Sequence, residues 1–192
     1  MIFTETKIKG AFIVDLELQR DRRGFFARTF CIHEFEARGL KSNVAQCNLS
    51  FNYKKGTLRG MHYQMPPSQE TKFVRCVQGA IYDVIIDLRP ESTSYLSHIG
   101  VELTAKNYLA LYIPDSCAHG FQTLTDETEV SYQMGDFYAP EYSSGYRYDD
   151  PAFGIEWPLP ISEIAEKDMA WALFEQTNVG ISGGYKNLND KQ

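Results

Sequence analysis

Within Thr57-Leu58-Arg59-Gly60-Met61-His62-Tyr63-Gln64, an imidazole that titrates near neutrality stands among a guanidinium, a phenol and an amide, and Lys72 follows on the next apolar run. A second histidine lies in Ala118-His119-Gly120-Phe121, and phenols occur at Tyr132 and Tyr138. A base of that pKa beside fixed cations suits removal of a proton from carbon next to a carbonyl in an anionic sugar, since the cations can hold both the anionic group and the enolate oxygen. A phenol opposite the imidazole supplies the acid that returns a proton to the other face, which is the pairing epimerisation requires.

Each residue also has an ordinary structural reading. A lone histidine in a strand more often bonds than catalyses, and strict strand alternation places Arg59 and His62 on opposite faces. Only a bulge at Gly60 brings both to one pocket. Tyrosines in a chain that holds 12 of them are mostly packing residues, and Lys167 and Asp168 read locally as solvated helix charges. Two histidines on facing strands invite a metal, but neither His33 nor His98 completes a ligand set with them, and a catalytic site of that kind wants three protein ligands. A metal-free, cofactor-free pocket is the expectation.

The elements that must position these groups are strands. The 192 residues are 43% hydrophobic and 14% aromatic, a balance that favours pleated sheet and one domain with its own core. Strand-like runs fall at 12–14, 25–30, 44–51, 58–64, 71–77, 80–88, 95–103, 108–113, 121–124 and 129–137, and short strands at such spacing indicate a sandwich or barrel. A short helix is expected at 33–38. Ser162 is positioned to cap a second helix over 163–175, and a polar tail begins at about residue 180.

A net charge of −6 argues against a broad nucleic-acid surface, so any phosphate must meet a local cation cluster. Cys31, Cys47, Cys76 and Cys117 are spaced as buried thiols, not as disulfides or a zinc site. With no apolar signal core and no run long enough to span a bilayer, a cytoplasmic protein with no membrane partner is expected.

An ordered set of segments resembles the dTDP-4-dehydrorhamnose 3,5-epimerase family from about Met1 to Leu173. The set comprises Asp21-x-Arg23-Gly24-Phe25-Phe26, Gln46-x-Asn48, Leu58-Arg59-Gly60-x-His62-Tyr63-Gln64, Lys72-x-Val74-Arg75, Ile113-Pro114 with Ala118-His119-Gly120-Phe121, Asp136-Phe137-Tyr138-Ala139-Pro140, Asp149-Asp150-Pro151 and Glu166-Lys167-Asp168. The resemblance implies an all-β, cupin-type jelly roll with a short C-terminal helical segment, one domain over 1–192. It implies a homodimer in which the partner contributes an amino-terminal strand to each nucleotide site.

By the same resemblance His62 is the base, Asp168 orients it, Tyr132 is the acid, and Lys72 and His119 contact the substrate near the oxygen that becomes the enolate. Arg23, Arg59 and Lys167 then hold the diphosphate of a nucleotide sugar, Phe26 stacks on the base, Gln46 and Asn48 make polar contacts, and Tyr138 closes the pocket. The implied reaction inverts carbon 3, carbon 5 or both of a nucleotide-diphospho-4-keto-6-deoxyhexose.

The chain departs from the family at Arg28, where glutamate is usual, at Ser143, also commonly glutamate, and at Cys47, frequently aspartate. Arginine cannot accept the thymine ring proton, whereas cytosine offers acceptors, so Arg28 raises a CDP-linked sugar as a substrate. A keto-isomerase of the same fold and a non-catalytic sugar-nucleotide-binding cupin are the alternatives.

Overall fold

The computed structural model describes residues 1–174. Its strands are β1 (Ile2–Glu5), β2 (Phe12–Asp15), β3 (Gln19–Asp21), β4 (Gly24–Phe26), β5 (Gln46–Asn52), β6 (Thr57–Gln64), β7 (Lys72–Gln78), β8 (Ala80–Asp87), β9 (His98–Thr104), β10 (Ala110–Ile113), β11 (Cys117–Thr123), β12 (Thr128–Met134), β13 (Ser143–Gly145) and β14 (Glu163–Ile164). The helices are α1 (Ile32–Glu36) and α2 (Glu166–Met169), with a 3-10 turn at Pro140–Tyr142. One sheet runs β1-β2-β10-β7-β12-β5 and the other β13-β6-β11-β8-β9, while β3 and β4 form a separate hairpin. This is an all-β jelly roll.

Strand alternation divides the apolar residues between the space inside the roll and its outer faces. On β8, Ile81 and Ile85 enter the central core with Val74, Leu111, Ile113, Phe121 and Val130, whereas Val84 and Ile86 face outward into a second cluster with Met61, Ala118 and Phe153. That outer face is covered by the chain following β13, which explains why every residue of β11 is buried. Gln122 fixes the cover, its side-chain amide donating to the Leu159 carbonyl at 2.8 Å and accepting from the Leu159 N–H at 3.0 Å. On the other sheet α1 lays Phe35 against Phe3, Phe73 and Tyr112, with ring centroids 5.2–5.6 Å apart. Truncating so buried a ring costs roughly 3–5 kcal/mol.

Three expectations are corrected. The helix over 163–175 does not form: Glu163 and Ile164 pair in parallel with Thr57 and Leu58 of β6, and α2 then spans four residues only. An open sheet edge offers these residues better hydrogen bonds than a solvent-facing first turn, and Ser162 Oγ donates to the Lys55 carbonyl instead of capping. Residues 170–174 follow as a turn and irregular chain, and residue 175 and the polar tail lie outside the described residues. β11 begins at Cys117, earlier than expected, because it pairs with β8 along its whole length. Finally, all four thiols are free but only Cys76 and Cys117 are buried; Cys47 is exposed on the edge strand β5. No helix among the described residues is long and apolar enough to cross a membrane.

Candidate active site

The pairing of β6 with β11 decides which side chains share the interior. His62 stands opposite His119, yet the next matched pair is Arg59 with Phe121, so β6 spends one more residue than its partner over this step. That bulge falls at Gly60, whose φ of +133° suits glycine; a Cβ there would lie 2.5 Å from the Gly120 Cα. Gly120 in turn has no room for a side chain, since its own Cβ would meet the Arg59 carbonyl at 2.7 Å. The consequence is that Met61 turns outward into its apolar cluster while Arg59 and His62 both point inward.

They line a cleft of ≈ 340 Å³ between the two sheets, together with Lys72, His119, Tyr132 and Lys167. Asn48, Tyr138 and Ser143 form part of its wall. His62, on β6 of one sheet, and Tyr132, on β12 of the other, therefore open onto one cavity from opposing walls.

His62 Nε2 lies 2.7 Å from Asp168 Oδ1, and the Gly60 N–H donates to Asp168 Oδ2 at 3.3 Å. Asp168 is 4% exposed, no solvated helix charge but a carboxylate brought under β6 by the turn after β14. Burial works against its ionisation, but the hydrogen bond and charge of His62 and the Gly60 amide outweigh it and hold the carboxyl below its usual range. With Nε2 engaged and no partner for Nδ1 among the described residues, Nδ1 is the ring nitrogen left for a substrate.

His119 repeats the arrangement more deeply. Its Nε2 is 2.7 Å from Asp83 Oδ1, and both side chains are buried. Tyr132 stacks edge-on to His119, centroids 6.1 Å apart. Burial first, and the charge of Asp83 second, push the Tyr132 phenol well above its usual range, so it stays protonated at neutral pH and remains a proton donor.

The three cations of the cleft are held differently. Arg59 Nε donates to Asn52 Oδ1 at 2.7 Å, and Lys167 Nζ lies 5.3 Å from the Trp171 ring centroid. Lys72 forms a buried ion pair with Glu70. Among the described residues no group of three or more His, Cys, Asp or Glu gathers to hold a metal ion.

Comparison with known proteins shows the family. The family model described as dTDP-4-dehydrorhamnose 3,5-epimerase matches residues 5–176. The chain belongs to the dTDP-4-dehydrorhamnose 3,5-epimerase family. The enzyme of that name from Methanothermobacter thermautotrophicus is 41% identical over 172 residues, 88% of this chain and 92% of that one. The crystal structure of the epimerase from Elizabethkingia anophelis superposes with a TM-score of 0.89 at 32% identity, covering 93% of this chain and 98% of that one. The Legionella pneumophila epimerase, solved in complex with dTDP-4-keto-L-rhamnose, gives 0.83 at 32% identity, covering 90% and 92%.

Not every expected site residue of this family member reaches the cleft of its own chain. Arg23 and Phe26 belong to the β3–β4 hairpin, whose six strand residues are all exposed, and Arg23 pairs with Asp21 at 2.6 Å. Arg28 lies just beyond, with Nη1 3.3 Å from Glu34 Oε1. Gln46 accepts the Tyr138 N–H at 2.8 Å, and Gln64 clamps the same segment, accepting from Ala139 N–H at 2.7 Å and donating to the Phe137 carbonyl at 3.1 Å. The two glutamines thus set the rim that carries Tyr138.

The sequence reading passes over Asp83, Glu70 and Asn52. Asp83 had a visible signal, being the one carboxylate inside Ala80-Ile81-Tyr82-Asp83-Val84-Ile85-Ile86, where only a paired carboxylate survives burial. Glu70 and Asn52 carried none, since Glu70 lies in the polar run ahead of β7 and Asn52 closes β5 just before a turn.

Proposed function

We propose that this protein epimerises carbon 3, carbon 5 or both of a dTDP-linked 4-keto-6-deoxyhexose. The observation that carries the reading is the pairing across one cleft of a histidine braced by a buried carboxylate with a tyrosine kept as the neutral phenol.

In this reading Nδ1 of His62 takes the proton from the carbon beside the ketone, and the bonding pair moves into the enolate. Asp168 holds the ring and stabilises the imidazolium that results. Charge collects on the C4 oxygen, where the Lys72 ammonium and the His119 imidazole lower the barrier. The Tyr132 hydroxyl then delivers its proton to the opposite face, the configuration inverts, and solvent exchange returns the phenolate and imidazolium to their starting states. Arg59 and Lys167 hold the diphosphate, for which Arg59 offers a planar fork.

A second copy of the chain completes the nucleotide end in this proposal. What supports it is the exposed β3–β4 hairpin with Phe26 73% exposed, and an outer sheet face that shows Leu49 and Phe51. On that face Arg75 Nη2 and Gln133 Oε1 are buried without hydrogen-bond partners among the described residues. Arg23 and Phe26 of one copy then serve the diphosphate and base at the other. Phe26→Ala should weaken dTDP binding and leave kcat at saturation nearly unchanged. The four free thiols suit a reducing compartment, and we assign the protein to the cytoplasm.

The test is incubation with dTDP- and CDP-linked 4-keto-6-deoxyglucose in deuterium oxide, following label at carbons 3 and 5 by NMR. Label entry with inversion on the dTDP sugar supports the proposal. Preference for the CDP sugar would assign Arg28 a part in choosing the base, and no label with either sugar would leave a binding protein.

A further inference from the structure

We propose that Glu70 is the positioning residue for Lys72: it neutralises that ammonium so that Lys72 serves the substrate's ketone and not its diphosphate. The proposal rests on the epimerase reading for the identity of the ketone.

Three cations face the cleft, and among the described residues only Lys72 is given a carboxylate. Arg59 is oriented by the neutral amide of Asn52, itself anchored by donation to the Thr128 carbonyl at 3.1 Å. Lys167 rests over an indole. Both keep their full charge toward the cleft. The Lys72 and Glu70 side chains are 8% and 7% exposed, pair directly with each other, and both line the cavity.

Charge attracts charge over a longer range than it attracts a carbonyl dipole, and the difference widens where water is excluded. A bare ammonium in the covered part of this cleft would therefore compete with Arg59 and Lys167 for the diphosphate and seat the substrate backwards. Paired with Glu70, Lys72 carries no net charge into the site, yet two of its three N–H donors have no partner among the described residues and are left for a carbonyl or enolate oxygen. The Glu70 carboxylate also repels a misplaced phosphate. The cleft thus acquires a polarity, with an anion end at Arg59 and Lys167 and a neutral, donor-rich end at Lys72. Removing one partner of a buried pair leaves the other charge uncompensated, which is why the variant gains a property as well as losing one.

The probe is inorganic pyrophosphate, titrated calorimetrically into the full chain without turnover. Glu70→Gln is expected to bind it roughly tenfold more tightly than wild type, the scale of one partly screened charge. The Lys72→Met/Glu70→Gln double variant loses that gain, and Glu70→Asp keeps the wild-type value. A loosened structure would weaken anion binding, so tighter binding cannot arise from damage. Pyrophosphate bound no more tightly by Glu70→Gln overturns the proposal. Should that variant not fold, Lys72→Met must bind pyrophosphate more weakly than the double variant, and equal affinities overturn it. Since binding is read without chemistry, absence of epimerisation in the wild type would sink the functional reading and leave this measurement intact.

Discussion

His119 of β11 stands directly across from His62 of β6, and each imidazole places its Nε2 2.7 Å from a different buried carboxylate, Asp83 for His119 and Asp168 for His62. The cleft therefore holds two braced imidazoles, side by side on one wall, with the Tyr132 phenol on the other. The two differ in access. The His62 side chain is 42% exposed and its partner 6%, whereas His119 is 6% exposed and Asp83 fully buried. Only His62 combines a rigid brace with room to meet a carbon centre, which is why it is assigned the proton abstraction and His119 the oxygen.

That assignment predicts that His62→Ala abolishes deuterium entry at carbons 3 and 5 while dTDP affinity, read calorimetrically, stays within a few-fold of wild type. Asp168→Asn keeps the imidazole but removes the charge that stabilises its protonated form, and is expected to slow exchange roughly hundredfold or more. Exchange at the wild-type rate in His62→Ala would remove it as the base.

Tyr132→Phe separates the two half-reactions. The hydroxyl is lost while the ring that packs against His119 is kept, so the fold and the His62 face are preserved. Deprotonation continues, and His62 can return deuterium only to the face from which it took the proton. Label should therefore enter without inversion at any carbon that depends on Tyr132. Inversion at the wild-type rate in this variant would show that another donor serves the far face.

Gly60→Ala should act on fold and site together. The φ of +133° strains any L side chain, and the new methyl group would lie 2.5 Å from the Gly120 Cα and 3.0 Å from the His119 carbonyl, both backbone atoms that cannot swing aside. A loss of roughly 3 kcal/mol or more is expected from denaturant unfolding, in the range reserved for strained backbone in a packed site. Any folded fraction should show weakened substrate binding, because Arg59 and His62 share a face only through this bulge. Wild-type stability in Gly60→Ala would refute the close approach of β6 and β11.

The same bulge marks how far the sequence could be read. Alternation alone set Arg59 and His62 on opposite faces, and Gly60 was the visible sign that the strand could break period. The apolar runs of β7 and β8 were legible because strands largely buried on both faces read as short continuous apolar stretches between turn residues. The ends were not. The 163–175 stretch reads locally as a capped helix, but its first residues pair with the free edge of β6, and no local propensity carries that long-range choice. Asp168 shows the same limit from the other side: its helix position suggests solvent, and only the fold brings it beneath Gly60 to meet His62. Glu70 stayed hidden because the ion pair that defines it depends on the path of the chain into β7.

Outside the site, Asp87 predicts an acid limb in stability. It is fully buried, and its two oxygens accept from Arg89 Nε at 2.8 Å, Arg89 Nη2 at 2.9 Å and Ser94 Oγ at 2.6 Å. Arg89 also donates to the Lys9 carbonyl and Ser94 accepts from the Lys9 N–H, so the carboxylate ties the end of β8 to the chain ahead of β2. Burial opposes its ionisation, but Arg89, Ser92 and Ser94 outweigh it and bring the carboxyl down to about 2 from an ordinary 3.8. A folded-state pKa below the unfolded one means stability that is complete above pH 4 and lost as pH falls toward 2, amounting to on the order of 2 kcal/mol. Other carboxylates titrate in the same window, so the quantity to measure is the difference in unfolding free energy between wild type and Asp87→Asn. That difference should be full at pH 6 and shrink steadily between pH 4 and pH 2. A difference that stays constant across this range would mean that the side chain stabilises the loop through shape and neutral hydrogen bonds, with its charge contributing nothing.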